Sequence, residues 1–400
     1  MKRFLSLMLA LVLSLSLFTA CGGGPASSEV TADPTPEPTP QRLYFPNPFT
    51  GEEKTSDFKD GQRAVAIMVN NISVCRPQRG LSDASILFES KVEGGITRFM
   101  AVFEDYTTLP DVGPVRSGRD QFLRWAMPWQ MLYCHIGRSG ITQTYIDTME
   151  YNDYDLDGNH KNFVYRDQNR LAQGYASEHT AYTNAEELMK AIDKYDYDMN
   201  KTYSEPLFDF CDYDMEGAGW RELNGESAEE ITVVHSEVYR TYFDYDAASK
   251  KYMMSQYNGS KKVVEETIDE NNGEQLGFEN VFIAFADIST YPYPGGNLDK
   301  NGNDKGDPNY QKVDMSYGGI GYYFSNGKVE QIRWFKGGTM DRLRFTDMDE
   351  NNLEINIGKS YIGFVDLDEY ERFGYAGNGE EVTEDVIDSN VTENEAETDF

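Results

Sequence analysis

The sequence predicts an α/β N-terminal domain, with a mixed sheet and flanking helices, followed by a mostly antiparallel β C-terminal domain. Between residues 64 and 195, short apolar runs typical of buried strands alternate with apolar residues at helical spacing. Between residues 230 and 370, almost every segment has the pattern of a strand, and Asn326-Gly327 is the pair best suited to a type I′ hairpin turn. Interleaved strands and helices favour a three-layer α/β domain, whereas consecutive strands favour antiparallel pairing.

The 20 N-terminal residues predict a signal peptide. Lys2 and Arg3 precede the apolar run 4–18, which is too short and too often interrupted by serine for a transmembrane helix of about 20 residues. Residues 18–22 resemble a bacterial lipobox, in which the cysteine, here Cys21, is diacylated on its thiol and becomes the new N-terminus. We therefore expect an extracytoplasmic protein attached to the cell membrane by acyl chains such as palmitate. Secretion with an incidental cysteine is the alternative.

Residues 21–41 predict a tether, because Pro34, Pro36, Pro38 and Pro40 alternate with polar residues and no apolar periodicity is present. At about 3.1 Å per residue, an extended polyproline segment of this length spans roughly 60 Å. At the other end of the chain, residues 373–400 predict a disordered acidic tail. From residue 376 onwards the sequence has nine Asp or Glu and no Lys or Arg.

The predicted N-terminal domain covers residues 42–205. Its strands are expected at residues 64–69, 85–88, 99–103 and 131–136, and Gly94-Gly95 marks a tight turn. One helix is expected at residues 120–129, and another begins after Thr183, which stands at capping-box spacing from Glu186. The predicted C-terminal domain covers residues 206–372, with strands at residues 231–234, 239–245, 251–257, 281–285, 322–325, 329–335, 343–345 and 353–357.

The charge of the chain is strongly negative but unevenly distributed. The 400 residues include 36 Lys or Arg and 68 Asp or Glu, a formal net charge of −32, which argues against a basic face for nucleic acid or anionic membranes. Residues 61–143 are different, with nine Lys or Arg against seven Asp or Glu, and eight of the nine are Arg. Because a guanidinium group binds carboxylate and phosphate in a bidentate manner, this segment predicts a pocket for an anionic ligand.

The predicted pocket draws on arginines in Gly- and Pro-containing loops, at residues 76–80 and 113–120, and on histidines beside glycine or a helix start. The expected ligand-binding residues are Arg76, Arg98, Arg116, Ser117, Arg119, Asp120, His135 and His179. Asp83 and Glu93 are expected to act as acid, base or metal ligand. The alternative is a structural role for both histidines and internal ion pairing of Arg116 or Arg119 with Asp83, Glu89, Glu93 or Asp120.

No catalytic residue is predicted, because the sequence has neither an HExxH motif nor a Gly-x-Ser-x-Gly nucleophile elbow. Stretches that begin at Asp155, Asp299 and Asp347 mimic the start of an EF-hand loop but lack the Glu required at position twelve. We therefore expect turns there and no resident cofactor, with Mg²⁺ or Ca²⁺ as the open alternative.

The cysteines other than Cys21 are odd in number and have no metal-like spacing. We expect buried thiols, with one disulfide as the alternative, at Cys75, Cys134 and Cys211.

Several motifs together resemble the N-terminal domain of YerB-like bacterial lipoproteins. They lie at residues 64–71 (AVAIMVNN), 76–84 (RPQRGLSDA), 93–99 (EGGITRF), 113–120 (GPVRSGRD) and 133–139 (YCHIGRS). Residues 319–334 and 347–362 resemble the C-terminal domain of that family, so that the resemblance covers about residues 60–370. It implies a lipid-anchored, two-domain envelope protein of a family with no agreed activity. The family has a Pro-His-Asn sequence before a helix, and at that place this chain has only the histidine, His179.

The order strand, Gly-rich turn, strand and Arg-Ser-x-Arg-Asp is similar to LytR-CpsA-Psr phosphotransferases, whose arginines hold a polyprenyl pyrophosphate. This similarity implies that Arg76, Arg98, Arg116 and Arg119 would clamp phosphate groups. Three functions therefore stay open. They are a lipoprotein that binds an anionic wall or lipid-linked molecule, an envelope phosphotransferase or hydrolase that uses Mg²⁺, and a scaffold for wall-synthesis proteins.

Overall fold

The structure is a computed structural model, and it describes residues 47–54, 61–211, 220–292 and 309–377. The predicted signal peptide, the predicted lipidation site Cys21, the predicted tether, most of the predicted acidic tail and the stretch that begins at Asp299 lie outside the described residues. In the described part of the chain, no helix combines the length and the apolar character needed to span a membrane.

In the described residues of the N-terminal half, strands are combined with four α-helices. The strands are β1 (Val65–Asn70), β2 (Ile86–Lys91), β3 (Thr97–Phe103), β4 (Leu132–His135), β5 (Asp155–Asp157), β6 (Tyr165–Arg166) and β7 (Ala181–Tyr182). The helices are α1 (Asp120–Ala126), α2 (Gly140–Thr148), α3 (Gln168–Ala172) and α4 (Ala185–Tyr195).

The C-terminal half consists mainly of strands. They are β8 (Asp209–Phe210), β9 (Glu230–Val234), β10 (Arg240–Asp246), β11 (Lys251–Asn258), β12 (Val263–Glu266), β13 (Gly277–Phe278), β14 (Asn280–Ala286), β15 (Ile288–Thr290), β16 (Gln311–Val313), β17 (Gly319–Ser325), β18 (Lys328–Phe335), β19 (Arg344–Thr346), β20 (Glu354–Ile355), β21 (Ser360–Asp366) and β22 (Gly374–Ala376).

A central sheet of ten strands has the order β19-β18-β17-β14-β21-β2-β3-β1-β4-β5. On the N-terminal side the sheet is mixed, because β1, β4 and β5 are parallel while β3 runs antiparallel to β1 and β2. Strand β21 pairs in parallel with both β14 and β2, and so joins the two halves of the chain. The predicted domain boundary near residue 205 stays a prediction, and the sheet draws strands from both sides of it.

A second sheet, of the order β12-β11-β10-β9-β22 with β13 beside β11, is antiparallel throughout. The predicted fold class, a mixed N-terminal sheet with helices followed by mostly antiparallel strands, is therefore confirmed. The predicted type I′ turn is confirmed as well, since Asn326 and Gly327 have φ angles of 52° and 72° and connect β17 to β18.

Two predicted helix boundaries are wrong by one to three residues. Helix α1 ends at Ala126, and residues 127–129 form a 3₁₀ turn, because Pro128 has no N–H to continue the α-helical hydrogen bonds. Helix α4 is capped by Asn184, whose side chain accepts from the N–H of Glu187 at 3.1 Å. Thr183 does not cap the helix, because its hydroxyl donates to the carbonyl of Phe163 at 2.7 Å.

Candidate functional site

Three of the predicted site residues form a buried ion cluster between β2, β3 and α1. The positive φ angles of Gly94 and Gly95 let the chain turn directly after Glu93, which is 1% exposed. The carboxylate of Glu93 accepts from Nη2 of Arg98 at 2.8 Å, from Nε of Arg119 at 2.7 Å and from Nη2 of Arg119. The predicted alternative of internal ion pairing is thus confirmed for Arg119 with Glu93.

Burial alone would raise the pKa of Glu93, but the charges of Arg119 and Arg98 hold it well below its usual range. The carboxylate therefore stays ionised and its two guanidinium partners stay neutralised. A ligand that used either arginine would have to displace Glu93 or add to its coordination.

Asp120 lies beside this cluster at the first position of α1. Its carboxylate, 1% exposed, accepts from the hydroxyl of Tyr291 at 2.8 Å. The ring of a second tyrosine, Tyr310, lies 5.1 Å from the guanidinium of Arg119. Burial raises the pKa of Asp120 to about 6, although the hydrogen bond from Tyr291 and the charge of Arg124 oppose the rise. Arg119 and Asp120 are therefore covered by side chains from the C-terminal half.

Asp120→Asn should flatten the pH dependence of stability between pH 4 and pH 7. The folded-state pKa of about 6 lies above the ordinary value of 3.8, so that the contribution of Asp120 is complete below pH 3.8 and is lost as the pH rises through 6. The difference between the two pKa values corresponds to roughly 3 kcal/mol of unfolding free energy. Urea unfolding of wild type and variant at pH 4, 5, 6 and 7 would measure how the difference between their free energies of unfolding changes with pH. A difference that stays constant over this range would contradict the prediction.

His135 occupies the carboxyl end of β4 and is fully buried. Its Nδ1 lies 2.8 Å from the carbonyl of Gly137 and its Nε2 lies 2.8 Å from Oδ1 of Asp155. Arg138 donates to Asp155 at 3.0 Å and to Asp157 at 2.8 Å. Because both ring nitrogens of His135 already have partners, the arrangement supports the structural role that was the alternative for this residue.

Arg116 and Ser117 lie where β1 and β4 separate, at the carboxyl end of the parallel strands. The N–H of Arg116 donates to the carbonyl of Met68 at 2.9 Å, and its carbonyl accepts from Ile136 at 3.1 Å. The carbonyl of Ser117 accepts from Nη1 of Arg98 at 3.2 Å. Such a position often binds ligands in α/β folds, but here the backbone of residues 114–118 bridges the two strands.

The remaining predicted residues are dispersed. His179 is buried, with Nδ1 3.3 Å from the side-chain nitrogen Nδ2 of Asn70. Asp83 is exposed, and burial of part of its carboxyl, opposed by the charge of Lys359, raises its pKa. The structure therefore brings Glu93, Arg98, Ser117, Arg119 and Asp120 together and places Arg76 and Asp83 elsewhere.

Arg76 lines a cavity of about 830 Å³, which we call the Arg76 cavity. One wall is the loop of residues 73–78, and the other is formed by β11, β12 and residues 267–268. The guanidinium of Arg76 donates from Nη1 to the carbonyl of Tyr257 and from Nη2 to that of Asn71, both at 2.9 Å. The volume is in the range of about 300–1,000 Å³ that is usual for small-molecule sites.

The walls of this cavity contain buried polar atoms that lack a partner. Gln256 is 1% exposed, yet neither its Nε2 nor its Oε1 has a hydrogen-bond partner among the residues that the structure describes. The same holds within the described ranges for Oγ1 of Thr267, which is 4% exposed, and for Nε of Arg76. Buried polar groups are normally paired, so that a cluster of unpaired ones at a cavity indicates a missing partner.

Sequence reasoning did not identify Gln256 or Thr267. On β11 the side chains of Tyr252, Met254, Gln256 and Asn258 alternate with more exposed residues. A glutamine on the buried face of a strand was the available signal, because that face normally carries apolar residues.

The predicted turn at Asp347 and the predicted buried thiols agree with the structure, whereas the stretch that begins at Asp155 starts as strand β5 and turns only after Asp157. Oδ1 of Asp347 accepts from the N–H groups of Asp349 and Asn351, both at 2.9 Å, as in an Asx turn. Cysteines 75, 134 and 211 are buried and not in disulfides. Within the described ranges, no group of three His, Cys, Asp or Glu side chains could hold a metal ion.

Comparisons with known proteins show which family this chain belongs to. A family model described as the N-terminal domain of a protein of unknown function (DUF3048) matches residues 49–198, and the model of its C-terminal domain matches residues 231–362. A protein of Bacillus subtilis (strain 168), named YerB and described as a candidate lipoprotein, is 28% identical over 291 residues, which are 72% of this chain and 77% of that protein. The crystal structure of Bacillus subtilis YerB superposes with a TM-score of 0.64 at 24% identity, covering 83% of this chain and 99% of the other, and so shares the fold.

Proposed function

The chain belongs to the DUF3048 family of unknown function, and from this premise we propose that it is a lipid-anchored binding protein of the cell envelope. The N-terminal sequence, with its signal-peptide pattern and Cys21, supports attachment outside the cytoplasm. The description of the Bacillus subtilis relative as a candidate lipoprotein supports the same location. The ligand is proposed to occupy the Arg76 cavity.

The observation that carries this proposal is the unpartnered side chain of Gln256. A buried amide that forms no hydrogen bond costs about 1–3 kcal/mol, because it has lost its contacts with water. A ligand with suitable polar groups would recover that free energy on binding. Thr267 and Arg76, which line the same cavity, each have a further buried atom without a partner among the described residues, and this supports the choice of the cavity.

Arg76 supports the anionic character that the sequence predicted for the ligand. Its guanidinium is held by two backbone carbonyls, which leave its positive charge without neutralisation from those contacts. Lys261 also lines the cavity and donates to Glu265 at 2.7 Å. Glu265 interacts electrostatically with Arg76 as well, and Glu266 lines the same cavity, so that the acidic side chains partly offset the positive charge. Arg76 is the proposed anchor for a negatively charged group, because its guanidinium is the one held in place at the wall by two carbonyls.

Replacing Gln256 with methionine should stabilise the free protein and abolish ligand binding. Methionine fills a similar volume and has no polar group to leave unpaired, so that the free energy of unfolding should rise by about 1 kcal/mol. Thermal unfolding of the full chain in detergent would measure this rise. Muropeptides, short polyprenyl phosphates, pyrophosphate and phosphate, added separately, would test the loss of a ligand-induced increase in Tm.

Gln121 provides a matched control. It is equally buried at 1% exposed, and its Nε2 donates to the carbonyl of Lys91 at 3.1 Å, whereas its Oε1 has no partner among the described residues. Gln121→Met removes one hydrogen bond that Gln256→Met does not, so that it should be the less stable of the two variants and should leave ligand binding intact. If Gln256→Met is no more stable than Gln121→Met and retains the ligand-induced increase, the cavity is not the binding site.

The two alternative functions stay predictions. A phosphotransferase or hydrolase of the LytR-CpsA-Psr type would use arginines to clamp phosphates, but Arg98 and Arg119 bind Glu93 in this structure. A scaffold for wall-synthesis proteins would require a docking surface rather than a cavity. Turnover of a phosphorylated substrate, or co-purification of wall-synthesis proteins lost on surface substitution, would favour one or the other.

A further inference from the structure

We infer that the outer edge of β12 is a self-association surface, at which a second copy of this chain adds its own β12 in antiparallel orientation. This inference goes beyond the function proposed above and does not require a ligand. It rests on a strand edge that no other described strand covers, on two exposed valines and on a charge sequence that is complementary to itself.

Strand β12 ends the second sheet, because β11 pairs with one of its edges and no described strand pairs with the other. The N–H of Thr267, directly after β12, donates to the carbonyl of Met254 in β11 at 3.0 Å. Backbone groups alternate in direction along a strand, so that those of Val264 and Glu266 point away from β11. These outward N–H and C=O groups are a template for a strand of another chain.

The two valines of this edge strand are exposed. Val263 is 46% exposed and Val264 is 51% exposed, and as neighbours in a strand they point to opposite faces of the sheet. Neither face of β12 is therefore buried at these positions. An edge strand that exposes apolar side chains is a typical site of association between chains.

Two-fold symmetry restricts how two copies of β12 can pair. The two-fold axis of an antiparallel pair is perpendicular to the sheet, so that each face of the sheet continues from one copy into the other. Because side chains alternate between the faces, an even-numbered residue must oppose an even-numbered one. With the axis at Val264, whose backbone groups point outward, the two copies exchange two hydrogen bonds between their Val264 residues.

In this register the flanking charges are complementary. Lys262 and Glu266 stand two residues before and two residues after Val264, so that Lys262 of one copy opposes Glu266 of the other, and the reverse. Both residues are exposed. Opposite charges across a strand pair attract, whereas an edge with charges of one sign repels a second copy. The order of charges therefore favours a second copy of this chain as the partner.

The remaining charges are compatible with this pairing. Glu265, which would oppose Val263 of the other copy, is paired with Lys261 of its own copy at 2.7 Å. The net charge of −32 acts against association at long range, but salt at 0.15 M screens charges more than about 8 Å apart. The contacts made at the strand edge therefore dominate at physiological ionic strength.

Sedimentation equilibrium of the full chain at 0.15 M salt, in density-matched detergent, would measure a monomer–dimer equilibrium up to about 300 µM protein. Glu266→Lys and Lys262→Glu each place like charges opposite one another and should weaken dimerisation at least tenfold. The double variant Lys262→Glu/Glu266→Lys restores opposite charges and should return the dissociation constant to within threefold of wild type. The control is Glu237→Lys, which makes the same change of net charge at an exposed residue outside β12.

Cross-linking would test the register. Pairing centred on Val264 places the two α-carbons about 5.5 Å apart, within reach of a short bis-maleimide. This reagent should join two copies of Val264→Cys and should not join two copies of Met348→Cys, a position outside β12 that is 45% exposed. The native cysteines of the described residues are buried and should react slowly.

Three results would overturn the inference. The first is a chain that stays monomeric up to about 300 µM at 0.15 M salt. The second is a dimer that Glu266→Lys does not weaken and Val264→Cys does not cross-link, because its interface would lie elsewhere. The third is equal weakening by Glu237→Lys, which would show an effect of net charge alone. All three are separate from ligand binding at the Arg76 cavity, which the Gln256→Met variant tests.

Discussion

Replacing Glu93 with glutamine should lower the free energy of unfolding by about 3–5 kcal/mol, because it removes a buried carboxylate that binds both Arg98 and Arg119. The carboxylate is 1% exposed and binds both guanidinium groups, whose side chains are 3% and 6% exposed. Glutamine has nearly the same shape, so the expected loss arises from charge and hydrogen bonding rather than from packing. Urea unfolding at pH 7 would measure it, together with a decrease in Tm of roughly 10 °C.

The control is Glu237→Gln, at an exposed glutamate whose side chain should contribute less than about 0.5 kcal/mol. A loss below 1 kcal/mol for Glu93→Gln would show that the two arginines find other partners, and the structural role assigned to the cluster would then be wrong. It would also reopen Arg98 and Arg119 as residues available to an anionic ligand.

A comparable loss is expected for Glu89→Gln, because Glu89 is the common acceptor of a buried network between the two sheets. Its carboxylate is fully buried and accepts from Nδ2 of Asn71 at 3.0 Å and from the hydroxyls of Thr97 at 2.6 Å, Thr241 at 3.0 Å and Tyr361 at 2.7 Å. His235 Nε2 lies 3.5 Å away. All these neighbours can donate, so that the NH₂ group of a glutamine would face donors. We expect a loss of about 3–5 kcal/mol at pH 7.

The pH dependence of this variant gives a second measurement. Burial alone would raise the pKa of Glu89, but the charge of His235 and the hydrogen bonds hold it below its ordinary value of 4.5. A carboxyl whose pKa is lower in the folded state stabilises the protein above the unfolded pKa, and this contribution is lost as the pH falls through the folded value. Wild type should therefore lose stability below pH 4.5 more steeply than Glu89→Gln.

Urea unfolding at pH 7, 5, 4 and 3 would measure how steeply the free energy of unfolding of wild type and of Glu89→Gln falls with pH. Tyr361→Phe, which removes a single hydrogen bond to the carboxylate, should lower the free energy of unfolding by about 1–3 kcal/mol and keep the steep loss of stability at acidic pH. Parallel curves for wild type and Glu89→Gln between pH 5 and pH 3 would show that the carboxylate does not titrate with unfolding, and the network would need another explanation.

Much of the local structure followed from short-range patterns. The apolar run that predicted the first strand lies within one residue of β1, and Asn326-Gly327 forms the expected turn because both residues tolerate positive φ. The ion pairing of Arg119 was open among four acidic partners, and only the packed structure selects Glu93. Helix α1 ended early for a local reason, the proline at position 128, which the periodic pattern alone did not reveal.

The residues of the candidate site could not be assembled from the sequence. Arg76 contacts the carbonyl of Tyr257 across a separation of 181 residues, and no pattern along the chain indicates that pairing. Gln256 becomes a candidate only because it is buried at the cavity wall across from the loop of residues 73–78, without a partner among the described residues. Burial and satisfaction of hydrogen bonds are properties of the packed molecule, since they depend on neighbours from distant segments.

The fold class, the excess of negative charge and the resemblance to a lipoprotein family follow from the sequence, because they depend on composition, on local periodicity and on motifs of contiguous residues. Which arginines are neutralised and which line a cavity depends on the tertiary structure. Strand β21 pairs with β2 across more than two hundred residues, and β11 packs beside the loop that carries Arg76. The free energy of such contacts depends on which surfaces are buried together, and surfaces from distant segments are buried together only when the sheets pack.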